Sequence, residues 1–444
     1  MNQHTVSEVD GVRVVTEHVP GVRSASLGVW INVGSANERA GQTGSAHFLE
    51  HMLFKGNDRW GAERISGWFD SIGSDANAAT TKEYTVVHSR VLDRHVDTAF
   101  EVLGEMTLAP ACHTRDLDSE REVILEEIAM YEDSPSDVAH ELADLLVFDE
   151  HPLGKPILGI EQDVAATTAA SLTAFHAVHY TPESLVVSAA GNVEHEQIVD
   201  AVRTRFLSAP SAAVTPTSDA KNPAVPVSVT QPRATVVAKD AEQVHLCLSG
   251  RGVSRQDDRR YALALLDILF GSTSSSRLFL EVRERRGLAY TIYSYTSQYR
   301  TTGQIGTYVA VRPDRVEEVL QVLATELDTL CAQPPFDTEL TRARDHLEGR
   351  LLLSMESTTV RGNRLGAALI NDVRVESIET TMERLHAVTP ADVHAVAQEL
   401  YRPDVLSFAA VAQDPEPVIS ATQSTLGLTN IAVHDGRAAE LAAR

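Results

Sequence analysis

Two α+β domains of related architecture, joined by a linker, are what this 444-residue sequence predicts. Three observations carry that expectation. Segments with the two-residue alternation of strands are interspersed with segments of helical period. The stretch Ser208 to Pro232, "SAPSAAVTPTSDAKNPAVPVSVTQP", is rich in Pro, Ser and Ala and has no apolar period, as a linker should. The order of patterns before that stretch then recurs after it.

In chain order, "GVRVVTEHV" and "SASLGVWINVG" alternate as strands. Helical patterns follow around residues 45–55, 62–71, 92–107, 115–131 and 134–147. "SLVVSAAG" reads as a strand and leads to a helix near 194–206. Past the linker, "QVHLCLSGRG" reads as a strand, "RRYALALLDILFG" as a helix, and "RLFLEVRERRG" as a helix leading into strands. The segments beginning "WFDSIGSDANAATTKEYT" and "FLEVRERRGLAYTIYSY" both run helix, glycine turn, strands, helix. The expected ranges are a first domain over 1–207, the linker over 208–232, a related domain over 233–412, and a loosely held polar tail over 413–444.

Hydrophobic residues make up 43% and charged residues 23%, the balance of a globular chain. Thirty-eight Lys and Arg against 62 Asp and Glu leave a formal charge of −24, which repels nucleic acid and anionic membranes. Cys112, Cys247 and Cys331 are few, odd in number and far apart, which predicts no disulfide framework and a reducing compartment. The amino-terminal stretch has no apolar core of signal-peptide length, and no run is long enough to span a bilayer. A soluble, cytoplasmic protein is expected.

The chemistry is concentrated in "GSAHFLEHMLFKG", Gly44 to Gly56. Ser45 can cap a helix there, and Gly56 can end it in a left-handed turn after Lys55. His47 and His51 then lie one turn apart on one face, with Glu50 beside them. Two imidazoles at i and i+4 can hold one Zn²⁺, and the adjacent carboxylate can reach water bound to it. Phe48, Leu49, Met52 and Leu53 cover the rest of the circumference, so the helix should be buried. Polar side chains in such a place need partners. A metal ion supplies one; a pair of hydrogen-bonded histidines is the alternative at this point.

A third ligand is sought in "LDSEREVILEEIAMYED". Leu117, Glu120, Val123, Ile124, Glu127, Ile128 and Tyr131 fall at the spacing of one helical face, and Glu122 and Glu126 fall on the other. Two carboxylates thus interrupt the apolar stripe and require a cation or donors. Glu127 is the candidate ligand. Glu120 is the candidate partner that orients a ligating histidine or carboxylate.

"HFLEH" followed by "EREVILEE" resembles the pitrilysin family of inverzincin zinc peptidases, which includes insulin-degrading enzyme and the mitochondrial processing peptidases. The chain is similar to the short, bacterial processing-peptidase-like branch. The family's third ligand sits 76 residues past the second histidine, as Glu127 does, and its partner glutamate precedes it by seven, as Glu120 does. The resemblance implies a zinc endopeptidase with Glu50 as general base. A non-catalytic, peptide-capturing or structural subunit is the alternative.

It further implies that "SDANAATTKEYT" contains a substrate-holding edge strand with Asn77 and Ala78 as its contacts, and that Arg283 and Tyr290 of "VRERRGLAY" bind the scissile region and its oxyanion. The family fold is two α/β-sandwich domains forming one half of a clamshell. A homodimer, or a heterodimer with an inactive member, is implied, acting on unfolded peptides in an enclosed chamber. The acidic charge would favour basic peptides. "FGSTSSSR" lacks a phosphate-loop pattern and reads as a loop before a helix, and His176 and His179 read as structural.

Overall fold

A computed structural model describes residues 4–209 and 231–435, in two compact units. All but the ends of the expected linker, and residues 436–444 of the expected tail, lie outside the described residues. The strands are β1 (His4–Val9), β2 (Val12–His18), β3 (Ser24–Ile31), β4 (Ala76–Thr80), β5 (Thr85–Leu92) and β6 (Leu185–Gly191). They continue as β7 (Ala234–Ala238), β8 (Val244–Gly252), β9 (Ala289–Gln298), β10 (Gly303–Val311), β11 (Ser407–Ala412) and β12 (Ile431–Asp435).

The first six form a sheet of order β1-β2-β6-β3-β5-β4, and the last six one of order β12-β7-β11-β8-β10-β9. The two orders are the same topology repeated, with parallel β2–β6 answered by parallel β7–β11. The recurrence of sequence patterns is thus a recurrence of fold. The outer strand is the exception. β1 joins β2 as an antiparallel hairpin, whereas β12 returns from the far end of the chain to lie parallel to β7.

The units do not follow the contiguous ranges expected. The first contains residues 352–377 of the later half, and the second contains residues 129–155 of the earlier half. Helix Thr358–Ile370 packs Leu365 and Ile370 against Val15, Trp30, Val86 and Val186 on one face of the first sheet. Helix Pro135–Phe148 packs Val138, Leu142 and Leu146 against Val237, Cys247, Tyr308 and Val411 of the second. Each sheet therefore has helices on both faces, and inner strands such as β6 and β10 are buried along their whole length. The first exchange is tied by Arg361, whose guanidinium donates to the buried carboxylate of Glu17 on β2.

The tail expected from Gln413 is corrected as far as it is described. Pro415–Leu426 is a helix capped by the Asp414 side chain, with Val418, Ala421 and Thr422 buried, and β12 follows. Its sequence mixes Ser, Thr, Pro and Gln with few apolar residues, so apolar period was too faint to mark a surface that tertiary packing completes. "RLFLEVRERRG" also differs in detail, since Phe279–Arg285 winds as a π-helix. No helix among the described residues is long and apolar enough to cross a membrane.

Candidate metal centre

The helix Ser45–Leu53 is buried on nearly every side, with Phe48, Leu49, Met52 and Leu53 all fully inaccessible. Its start differs from expectation. Ser45 is not the cap; Gly44 holds that position in a left-handed conformation and offers no side chain. The buried carboxylate of Glu38 substitutes, accepting the amides of Gly44 at 2.9 Å and Ala46 at 2.8 Å. A negative charge on the orphan donors of a helix N-terminus is favoured twice, by hydrogen bonds and by the dipole. At the other end Gly56 has φ of +64°, and a Cβ there would lie 1.8 Å from the Trp60 carbonyl, so glycine is required.

Helix Thr114–Asp133 brings the glutamates. Leu117, Glu120, Ile124 and Ile128 are buried and Glu127 partly so, while Glu122 and Glu126 face solvent. The buried stripe is narrower than its spacing suggested: Val123 is 48% and Tyr131 39% exposed. Within it, Glu127 Oε2 lies 3.6 Å from His47 Nε2 and 3.7 Å from His51 Nε2. Those separations are long for hydrogen bonds. They are close to the spacing of about 3.3–3.5 Å between ligands held at 2.0–2.1 Å around one tetrahedral ion. All three ligand atoms lie within 4.8 Å of one another.

The protonation states suit a cation. Burial and the neighbouring His51 push His47 down to about 3, so its imidazole is neutral near pH 7. A neutral imidazole has a lone pair to give. Burial pushes the Glu50 carboxyl up, against the hydrogen bonds of Thr80. On the far side of His51, Nδ1 meets Glu120 Oε2 at 3.0 Å, and Lys55 Nζ holds Glu120 Oε1 at 2.5 Å. Burial works to raise Glu120, but Lys55 and His51 outweigh it and hold the carboxyl low. The ring of His51 is thus fixed with Nε2 turned toward Glu127. Two imidazoles, one of them held neutral by burial and one with an oriented ring, and a carboxylate fit a divalent ion with mixed nitrogen and oxygen preference.

The other expected residues are as follows. Asn77 and Ala78 lie on β4, an edge strand; Asn77 is exposed and its side chain accepts the Ala78 amide at 2.8 Å. Arg283 and Tyr290 come together in the second unit. Arg283 donates to the Tyr290 carbonyl at 3.0 Å and lies 4.1 Å over its ring, which is 75% exposed. His176 is structural, bonded to the Thr107 carbonyl at 2.8 Å. Lys55, Glu38 and Thr80 were not singled out in the sequence. For Lys55 a signal existed: it is four residues past His51, on the same helical face as the histidines.

A family model for insulinase, peptidase family M16, matches residues 13–161, and one for the M16 inactive domain matches residues 166–347. An uncharacterized zinc protease of Streptomyces coelicolor is 40% identical over 88% of this chain and 85% of its own. The chain belongs to peptidase family M16. An uncharacterized zinc protease of Bacillus subtilis is 36% identical over 89% of this chain and 95% of its own. A protease from Helicobacter pylori shares the fold with a TM-score of 0.85, at 19% identity, over 92% of this chain and 99% of its own. Within this M16 chain the convergent His47, His51 and Glu127 all fall in the insulinase match. The inactive-domain match takes in the helix after β8, Arg260–Phe270, which reads "RYALALLDILF" and has no histidine.

Proposed function

We propose that this chain is a zinc-dependent endopeptidase, with His47, His51 and Glu127 as metal ligands and Glu50 as general base. The observation that carries the reading is the convergence of three ligand atoms from two separate helices, with Glu50 on the same helix as both histidines. Zinc held there supplies Lewis acidity toward a peptide carbonyl and lowers the pKa of water at its open position to about 7.

The chain's own residues do the rest. Glu50 takes a proton from the attacking water and delivers it to the leaving amine, so no proton is lost or gained over the cycle. A carboxyl raised by burial is a stronger base for the first transfer and a usable acid for the second. Glu120 and Lys55 hold the His51 ring in its ligating orientation. An extended peptide docks along the β4 edge beside Asn77 and Ala78, recognised through its backbone and so with little regard to side chains. Arg283 and Tyr290, already paired with each other, are the residues proposed to serve the scissile region and its developing oxyanion, at the metal centre of this chain or of a partner. The three unpaired thiols suit a cytoplasmic setting.

The test is Glu50→Gln, followed by metal analysis and by hydrolysis of a quenched fluorescent peptide. Zinc stays bound and cleavage falls by about 10²–10⁴, the usual worth of a general base. Retained cleavage removes Glu50 from that role. A wild-type protein that is metal-free and inert would instead favour the non-catalytic subunit.

A further inference from the structure

Glu50 is a side chain with three rotatable bonds, and a base works only when its oxygen points at the proton it takes. Thr80 holds it, through its backbone as well as its side chain. The hydroxyl of Thr80 donates to Glu50 Oε2 at 2.5 Å. Thr80 is the last residue of β4. Side chains alternate along a strand, and here Ala76, Ala78 and Thr80 are partly buried while Asn77 and Ala79 are exposed. β4 packs against the histidine helix, so the partly buried side of the strand reaches Glu50.

Thr80 is itself held in place. It pairs with Thr85 of β5, whose hydroxyl donates to the Val33 carbonyl at 2.9 Å. The two threonine oxygens are 3.4 Å apart, and with the Thr85 proton committed to Val33, the single hydroxyl proton of Thr80 goes to Glu50. Beyond Glu50, the strand that holds the base is the edge strand of its sheet among the described residues, the one along which the proposed function docks a peptide.

We propose that Thr80 is a positioning residue: its hydroxyl grips one oxygen of Glu50 and makes the aim of the base depend on the peptide-docking strand. This deepens the peptidase reading and rests on it. Docking of a peptide along β4 stiffens that strand and hence the Thr80–Glu50 bond. The contribution accordingly appears in kcat rather than in KM or in metal binding.

Thr80→Val keeps the shape and removes the hydroxyl; Thr80→Ser keeps the hydroxyl. With the zinc-loaded protein, Thr80→Val lowers kcat by about tenfold or more, a fraction of the 10²–10⁴ worth of the base itself. KM and zinc content stay within about twofold of wild type, and Thr80→Ser recovers most of kcat. A second readout needs no catalysis. The Tm loss caused by Thr80→Val is measured in the wild-type and in the Glu50→Ala backgrounds, and it is larger where Glu50 is present to lose its donor. Unchanged kcat in Thr80→Val, or equal Tm losses in the two backgrounds, overturns the proposal. If the zinc-loaded wild type cleaves nothing, the peptidase reading falls, and the melting comparison still decides whether Thr80 holds Glu50.

Discussion

A fragment of residues 1–207, the first domain as the sequence alone would cut it, is expected to lose cooperative folding. In the full chain one face of the first sheet is covered by helix Thr358–Ile370, under which Val15, Trp30, Val86 and Val186 are buried. Fully burying one such side chain is worth about 1.5–3 kcal/mol, and strand neighbours keep about half of each covered, so uncovering four costs about 3–6 kcal/mol. A domain's entire stability is about 5–15 kcal/mol. The fragment also carries helix Pro135–Phe148 with Val138, Leu142 and Leu146 bared, because the sheet they pack on lies in the later half. Urea titration followed by circular dichroism, with dye binding to exposed apolar surface, is the assay. The expected result is strong dye binding and a broad or absent transition, with recovery of a sharp transition when residues 352–377 are fused back. A fragment 1–207 that unfolds cooperatively at the urea midpoint of the full chain, without binding dye, would refute the reasoning.

Two further outcomes follow from contacts around the candidate metal centre. Glu120→Gln removes the charged acceptor of His51 Nδ1 and of Lys55, and weakens zinc affinity about 10–100-fold in a chelator competition. Unchanged affinity would mean that the helix alone sets the ring. Glu38→Ala strips the acceptor from two amides at the start of the histidine helix and lowers stability by about 1–2 kcal/mol, read as a fall in the urea midpoint.

What the sequence made legible was whatever depends on period and local spacing. His47 and His51 share a face because 3.6 residues make a turn, and Glu120 and Glu127 share one for the same reason. The repeated topology was legible because each unit repeats its own order of strands and helices. What remained hidden depends on where a surface finds its cover. The pattern of helix Thr358–Ile370 says that one side must be buried, but not that a sheet some 170 residues or more earlier in the chain buries it. The Glu38 cap depends on the short turn at Ser35–Asn37 bringing a carboxylate back over Gly44, while a serine at the start of the helix supplied a more familiar local signal. Val123 and Tyr131 fell on the expected stripe yet are exposed at its margin, since a stripe read from spacing has no defined width.

Charge explains why this set of residues is stable together. Glu50, Glu120 and Glu127 bring three carboxylates to the neighbourhood of one helix turn, and His47 adds no compensating charge because its burial keeps it neutral. Carboxylates crowded in a partly buried site repel one another and lose solvation. Lys55 offsets one negative charge through Glu120. Glu127 and Glu50 remain, and burial pushes the Glu50 carboxyl up, so a cation placed among them would favour the charged form that burial penalises. Their contacts separate the three glutamates. Glu120 spends its charge on Lys55 and the outer nitrogen of His51, and Glu127 faces the inner nitrogens. Glu50 meets neither Lys55 nor the imidazole nitrogens in a hydrogen bond; its side-chain partner is the neutral hydroxyl of Thr80.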